Sequence, residues 1–66
     1  MTQTVARIAY FYLTHERAWV IQRFDADGFE IFEPGGGSLY IGSGKRDALA
    51  EVRRLEAEHG VTAERL

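Results

Sequence analysis

The sequence predicts an α+β fold: a three- to four-stranded antiparallel sheet, in the order β-β-β-(β)-α, with one C-terminal amphipathic helix packed on one face. Three observations predict this fold. β-Branched and aromatic residues fill two segments near the N-terminus, turn-forming residues separate these from further extended segments, and helical periodicity begins only after residue 44. The 66 residues suffice for one compact α/β domain, residues 1–66, which excludes functions that need a cleft between two domains.

The first predicted strand spans residues 5–13, where β-branched and aromatic side chains suit a half-buried pleated surface. Side chains alternate between the faces of a strand, so both faces of this one are largely apolar. One predicted face carries Ala6, Ile8, Tyr10 and Tyr12, and the other carries Val5, Arg7, Ala9, Phe11 and Leu13.

Two turns divide the next extended segments. Residues 14–17 are polar and suit a hairpin connection into a second strand at 18–24, which places Trp19 and Ile21 on one face. Asp25 and Gly28 then supply turn chemistry, because Gly accepts positive φ and Asp bonds to its own backbone. A second hairpin with a strand at 29–33 is therefore expected.

After this hairpin, Pro and Gly at 34–37 interrupt any strand, and residues 39–41 are long enough for a short last one. The period then changes to that of a helix over residues 45–59, with an apolar stripe and charged residues around the rest. Ser43 is the expected N-cap, and Gly60 followed by Val61 resembles a Schellman ending. The stripe consists of Ala48, Leu49, Val52 and Leu55.

One helix can cover only one face of such a sheet, so the second face requires an explanation. We expect Tyr10, Tyr12 and Trp19 to lie together on that second face. Two interpretations remain open: sheet curvature, the Gly-rich loop and the tail cover these aromatic residues, or the residues form a dimer or partner surface.

The sequence shows no complete motif for a cofactor, a metal ion or catalysis. The segment around Gly44 and Lys45 lacks the first Gly and the final Ser or Thr of a phosphate-binding loop. His15 and His59 have no partner at metal-binding spacing, and the chain has no Cys. We therefore expect no catalytic residues, no metal site and no cofactor.

Four acidic residues follow one another along the second predicted hairpin. Such a pattern is typical of a solvated edge that discourages aggregation, and it also suits an acidic surface that docks into the basic groove of a nucleic-acid-binding partner. The four residues are Asp25, Asp27, Glu30 and Glu33. With Tyr10, Tyr12 and Trp19 they are the candidate partner-binding residues.

Ten acidic and eight basic residues give the chain a net charge of -2, so charge provides no general reason to bind nucleic acid. A weaker hypothesis of direct nucleic-acid binding rests on basic side chains in and around the helix. These are Lys45, Arg46, Arg53 and Arg54. The chain has no apolar run long enough to span a membrane, and its N-terminus lacks the basic start of a secretory signal.

The chain as a whole resembles small phage-type anti-CRISPR proteins that inhibit the type I-C CRISPR-Cas system. The matched features are the opening at residues 4–12, the turn and strand at 27–32 and the helix with its end at 48–60. The resemblance implies a non-enzymatic inhibitor in the cytoplasm of the bacterial host cell. It would bind the Cas8-type large subunit of the interference complex and block recognition of target DNA. The family has no diagnostic motif, so no residue role is carried over by position.

A second function class also fits the order of elements. The three strands followed by residues 45–50 are similar to small β-β-β-α modules of antitoxin-like or regulatory proteins from phages and plasmids, which commonly form dimers through a sheet. The inhibitor hypothesis favours a monomer, whereas the regulatory module would be a dimer.

Overall fold

The computed structural model describes residues 4–42 and 44–66, except for the side chain of Tyr40. The elements follow the predicted order and one strand is added at the end. They are β1 (Arg7–Leu13), β2 (Ala18–Phe24), β3 (Glu30–Ile31), β4 (Leu39–Ile41), α1 (Lys45–His59) and β5 (Ala63–Arg65). The α+β class and the single C-terminal helix are confirmed.

The sheet contains five strands but is only four strands wide. β2 pairs with β1 on one side, and on its other side β3 and β4 pair with different halves of it. These pairings are antiparallel, whereas β5 runs parallel to β1 on the far side. The predicted β-β-β-(β)-α arrangement is confirmed, but the expectation that every pairing is antiparallel is wrong, because β5 runs parallel to β1.

The pairing of β1 with β2 decides which side chains share a face. Tyr12 lies opposite Trp19, and Tyr10 lies opposite Ile21, so these four side chains project to the same side. That side also carries Ile8, which joins Ile21 in the core. We call this side the helix face, because the helix packs on it.

The core lies between the helix face and α1. Val52 and Leu55 of α1 pack against Ile8 and Ile21 of the sheet. Val52, Leu55 and Ala48 are buried, and Leu49 is half-buried, which confirms the predicted stripe as the side that faces the sheet. The helix also has the predicted bounds.

The opposite side of the sheet, which we call the open face, has no helix on it within the described part of the chain. It consists of the side chains that alternate with the helix-face residues along β1 and β2. Its members are Arg7, Ala9, Phe11, Leu13, Ala18, Val20, Gln22 and Phe24.

The first residues of the sheet depart from simple alternation. The Ala6 N–H donates to the Phe24 carbonyl at 2.8 Å, although Arg7 is also the partner of Phe24. Two residues opposite one is the pattern of a β-bulge, and it changes the phase of the side chains. Val5 is consequently in the core with Ile8, and Ala6 is exposed, although the sequence assigned Ala6 and not Val5 to the face of Ile8.

β3 is shorter than the predicted strand at 29–33 because the backbone at both ends belongs to turns. Asp25 N–H donates to the Phe29 carbonyl at 2.9 Å, while Gly28, at φ 89°, closes the turn. At the other end, Glu33 N–H donates to the Gly37 carbonyl at 2.9 Å. Only Glu30 and Ile31 remain to pair with β2.

The helix ends as predicted at Gly60, and the chain continues into the strand β5. Gly60 is in the left-handed conformation and its N–H donates to the Glu56 carbonyl at 2.8 Å, which is the αL motif and not the Schellman motif. The Glu56 carboxylate then accepts the Ala63 N–H at 2.7 Å. At the N-terminal end Gly44 is the N-cap, and the predicted cap Ser43 lies outside the described residues.

Because Leu55 is buried in the core between α1 and the sheet, we expect Leu55→Ala to lower the free energy of unfolding by about 2–5 kcal/mol. Arg53→Ala, on the exposed side of the same helix, is the control and should change it by less than about 0.5 kcal/mol. Urea unfolding followed by the fluorescence of Trp19 measures both variants. Equal changes in the free energy of unfolding for Leu55→Ala and Arg53→Ala would contradict the burial of Leu55 in the core.

Candidate functional site

The four acidic residues that the sequence assigns to a partner-binding surface do not lie on one surface of the structure. Asp25 belongs to the second hairpin turn, where its Oδ1 accepts the N–H groups of Asp27 at 2.9 Å and Phe29 at 3.0 Å. This is the local backbone capping typical of Asp in turns. Asp27 is exposed at the tip of the same turn.

The other two acidic residues lie on opposite faces of the sheet. Glu30 is paired with Phe24 on the open face, and its carboxylate accepts hydrogen bonds from Gln22 Nε2 at 3.3 Å and from Ser38 Oγ. Glu33 instead pairs with Arg23 at 3.4 Å. Three of the four carboxylates thus bind groups within the chain, and only Asp27 can be changed without removing one of these contacts.

The predicted aromatic cluster exists, but it lies on the helix face and not on the second face. The ring centroids of Tyr10 and Tyr12 are 6.3 Å and 5.4 Å from that of Trp19. Trp19 is only 5% exposed and Tyr12 is 41% exposed, while Tyr10 packs against the core. The expectation is wrong because these residues share a face with Ile8 and Ile21, the face that the helix covers.

The face without the helix does carry apolar side chains, but they are not the predicted Tyr10, Tyr12 and Trp19. Phe11, Leu13, Ala18 and Phe24 are half-buried there, and Val20 is buried opposite Phe11. Antiparallel strands usually carry polar side chains on a face that no second layer covers, whereas these side chains are apolar and α1 lies on the other side. The four half-buried residues around Val20 therefore form an apolar strip that a partner can cover.

Two further apolar side chains are strongly exposed beside this sheet. Phe29 is 72% exposed in the second hairpin, and Phe32 is 57% exposed after β3. Single exposed apolar residues are ordinary on protein surfaces, but several near an uncovered sheet face are typical of interaction sites.

A groove of about 420 Å³ opens between the C-terminal half of α1 and the β3–β4 side of the helix face. Its walls combine an apolar floor with charged side chains from both layers. The floor residues are Val5, Ile31, Leu39 and Leu55, and the charged or titratable residues are Arg23, Glu33, Glu51, Arg54, Glu58 and His59.

On the helix wall of this groove the charges compensate one another. The guanidinium of Arg54 bonds to the carboxylates of Glu51 and Glu58, the latter at 3.0 Å. Hydrogen bonding to Arg54 lowers the pKa of Glu51, against the opposing effect of partial burial. The same pairing raises the pKa of Arg54. Arg54 thus contacts a carboxylate on each side of it along the helix.

On the sheet wall, the side chain of Arg23 is only 17% exposed, yet its guanidinium makes few hydrogen bonds. Its Nη2 donates to the Ile31 carbonyl at 3.4 Å and lies 3.4 Å from Glu33 Oε1. Its buried Nε has no hydrogen-bond partner among the described residues. Arg23 therefore depends on Glu33 for its only carboxylate contact within that part of the chain.

Sequence reasoning missed Arg23 and β5. Arg23 has the same period-2 phase as Trp19 and Ile21, so the signal for its inward direction was present in the strand pattern. The alternation of apolar Val61 and Ala63 with polar neighbours is too short to distinguish a strand from a tail.

Within the described residues, no three His, Cys, Asp or Glu side chains are grouped so that they could hold a metal ion. Within the same residues, no helix has both the length and the apolar character needed to cross a bilayer. No protein-family model matches the chain, and neither curated proteins nor solved structures provide a significant match.

Replacing Glu33 by Gln leaves the guanidinium of Arg23 partly buried beside a neutral amide. We expect Glu33→Gln to lower the free energy of unfolding by about 1–3 kcal/mol, the cost of a poorly satisfied buried polar group. Asp27→Asn, at an exposed position of the neighbouring turn, is the control and should change it by less than about 0.5 kcal/mol. Urea unfolding measures both, and equal stability of the two variants would show that Arg23 does not need Glu33.

Proposed function

We propose that this protein is a non-enzymatic protein-binding module and that the open face of its sheet is the surface that contacts the partner. The observation that carries this proposal is the apolar strip of Phe11, Leu13, Ala18 and Phe24, which no helix of the described chain covers. Burial of such a strip by a partner supplies a favourable free energy of association.

The proposed partner is the Cas8-type subunit of a type I-C interference complex in the cytoplasm of the bacterial host. Support for this target comes from the resemblance of residues 4–12, 27–32 and 48–60 to small anti-CRISPR proteins. The net charge of -2 is compatible with approach to a basic DNA-binding surface, because complementary charge accelerates association.

The acidic residues have a smaller part in this proposal than the sequence predicts. Asp25 and Glu30 stabilise a turn and a polar network, and Glu33 pairs with Arg23. Reversal of all four charges would therefore disturb the fold as well as any interface. Asp27 is the acidic position that reports on binding without removing such a contact.

Phage plaquing on a bacterium with an active type I-C system and a matching spacer tests this function. Expression of the protein should restore plaquing, and Phe11→Ser on the open face should abolish the restoration. Tyr12→Ser is the matched control, because Tyr12 is the next residue of β1 but lies on the helix face. Circular dichroism verifies that both variants fold.

Absence of restoration with soluble wild-type protein would reject the type I-C target. Restoration that survives Phe11→Ser would reject the open face as the binding surface while retaining the inhibitor function.

A dimeric antitoxin-like or regulatory module is the second candidate, and the same uncovered face favours it. Two copies that pack their open faces together would form a two-layered sheet core. Size-exclusion chromatography with light scattering at micromolar concentration distinguishes the candidates. The inhibitor should elute as a monomer, and the regulatory module as a dimer that Phe11→Ser dissociates.

A further inference from the structure

The short strand β5 occupies the outer edge of β1 and pairs with it as a bound peptide would. β5 runs parallel to β1, with Ala63 in register with Ile8 and Arg65 in register with Tyr10. The Leu66 N–H donates to the Tyr10 carbonyl at 2.9 Å. Addition of an extended segment to a sheet edge is a recurrent mode of peptide recognition.

Two side chains of β5 meet distinct surroundings on the helix face. Ala63, a small residue in register with Ile8, packs against the core. Two positions later, the guanidinium of Arg65 lies over the ring of Trp19, 5.3 Å from its centroid. Cations bind favourably to the face of an indole ring, and Tyr10 and Tyr12 flank this ring.

The attachment of β5 is shallow. Glu64, Arg65 and Leu66 are exposed, and Ala63 is half-buried. Beyond backbone pairing and the contact of Arg65 with Trp19, the strand is held by one partly buried hydrogen bond from Ala63 N–H to Glu56. A 4.0 Å ion pair between the exposed side chains of Arg7 and Glu64 adds little. Segments with few buried apolar contacts open locally without global unfolding.

We propose that the outer edge of β1 is a peptide-binding edge that β5 occupies in cis, and that it accepts an extended partner segment with the pattern small residue, any residue, arginine. The partner backbone would pair with Ile8 and Tyr10, its small side chain would replace Ala63, and its guanidinium would lie on Trp19 as that of Arg65 does. This edge is separate from the open face, and the inference does not depend on the target named above.

Covalent attachment favours β5 over any free peptide. A strand on a short linker has an effective concentration on the order of millimolar, so a free segment competes poorly until the internal strand is weakened. Arg65→Ala weakens it while leaving β1 and Trp19 unchanged. The only tryptophan of the chain then reports directly on whether its ring is covered.

The experiment measures acrylamide quenching of Trp19 in the full-length protein. We expect Arg65→Ala to increase quenching and Arg65→Lys to keep it closer to the wild-type level. Acetyl-Val-Thr-Ala-Glu-Arg-Leu added to the Arg65→Ala variant should restore protection. The same peptide with Ala in place of Arg should bind about two- to fivefold more weakly, the factor expected for one exposed cation–π contact.

Unchanged quenching in Arg65→Ala, or equal binding of the two peptides, would overturn the proposal. Protection of Trp19 that rises with the concentration of the protein itself would also overturn it, because the occupant would then be β5 of a second copy. Glu56→Ala, which removes the acceptor for Ala63 N–H, gives a second weakened strand and should rank the peptides in the same order. Circular dichroism confirms that each variant is folded.

Discussion

The structure depends on the packing of one helix against one face of the sheet. α1 is the only helix of the described chain, and Val52 and Leu55 on it meet Ile8 and Ile21 of the two central strands. One helix covers one face of a sheet, so the other face of β1 and β2 has no covering helix among the described residues. The proposed binding function follows from that imbalance.

The polar contacts hold the short elements onto this two-layer unit. The Asp25 carboxylate organises the second hairpin turn, and Glu56 fastens the start of β5 to the helix. Glu33 pairs with Arg23 where that arginine enters the helix face. Carboxylates that the sequence places on the surface are therefore used to close turns and to hold a strand, which leaves fewer of them for a partner.

The sequence was sufficient to predict those elements whose signals are local. The bounds of α1 followed from the apolar stripe and Gly60, and the two hairpins followed from the turn residues at 14–17 and 25–28. The fold class was predictable for the same reason, because helical and strand periods occupy separate parts of the chain.

Features that depend on contacts between distant residues were not predictable in this way. β5 is a strand because Ala63 meets both β1 and Glu56, and neither contact is visible in three residues of sequence. The face of the sheet on which α1 packs depends on the contacts that Ile8 and Ile21 together make with the helix. The aromatic residues were therefore correctly grouped but assigned to the wrong side.

The central claim is that the helix face maintains the fold while the open face binds a partner. Methyl NMR of the labelled protein during titration with a purified type I-C interference complex tests this claim most directly. We expect the methyl signals of Leu13, Ala18 and Val20 on the open face to broaden or shift early in the titration. The methyl signals of Val52 and Leu55 should remain unchanged until nearly all of the labelled protein is bound. Selective changes at Val52 and Leu55, or no change at any methyl group, would contradict it.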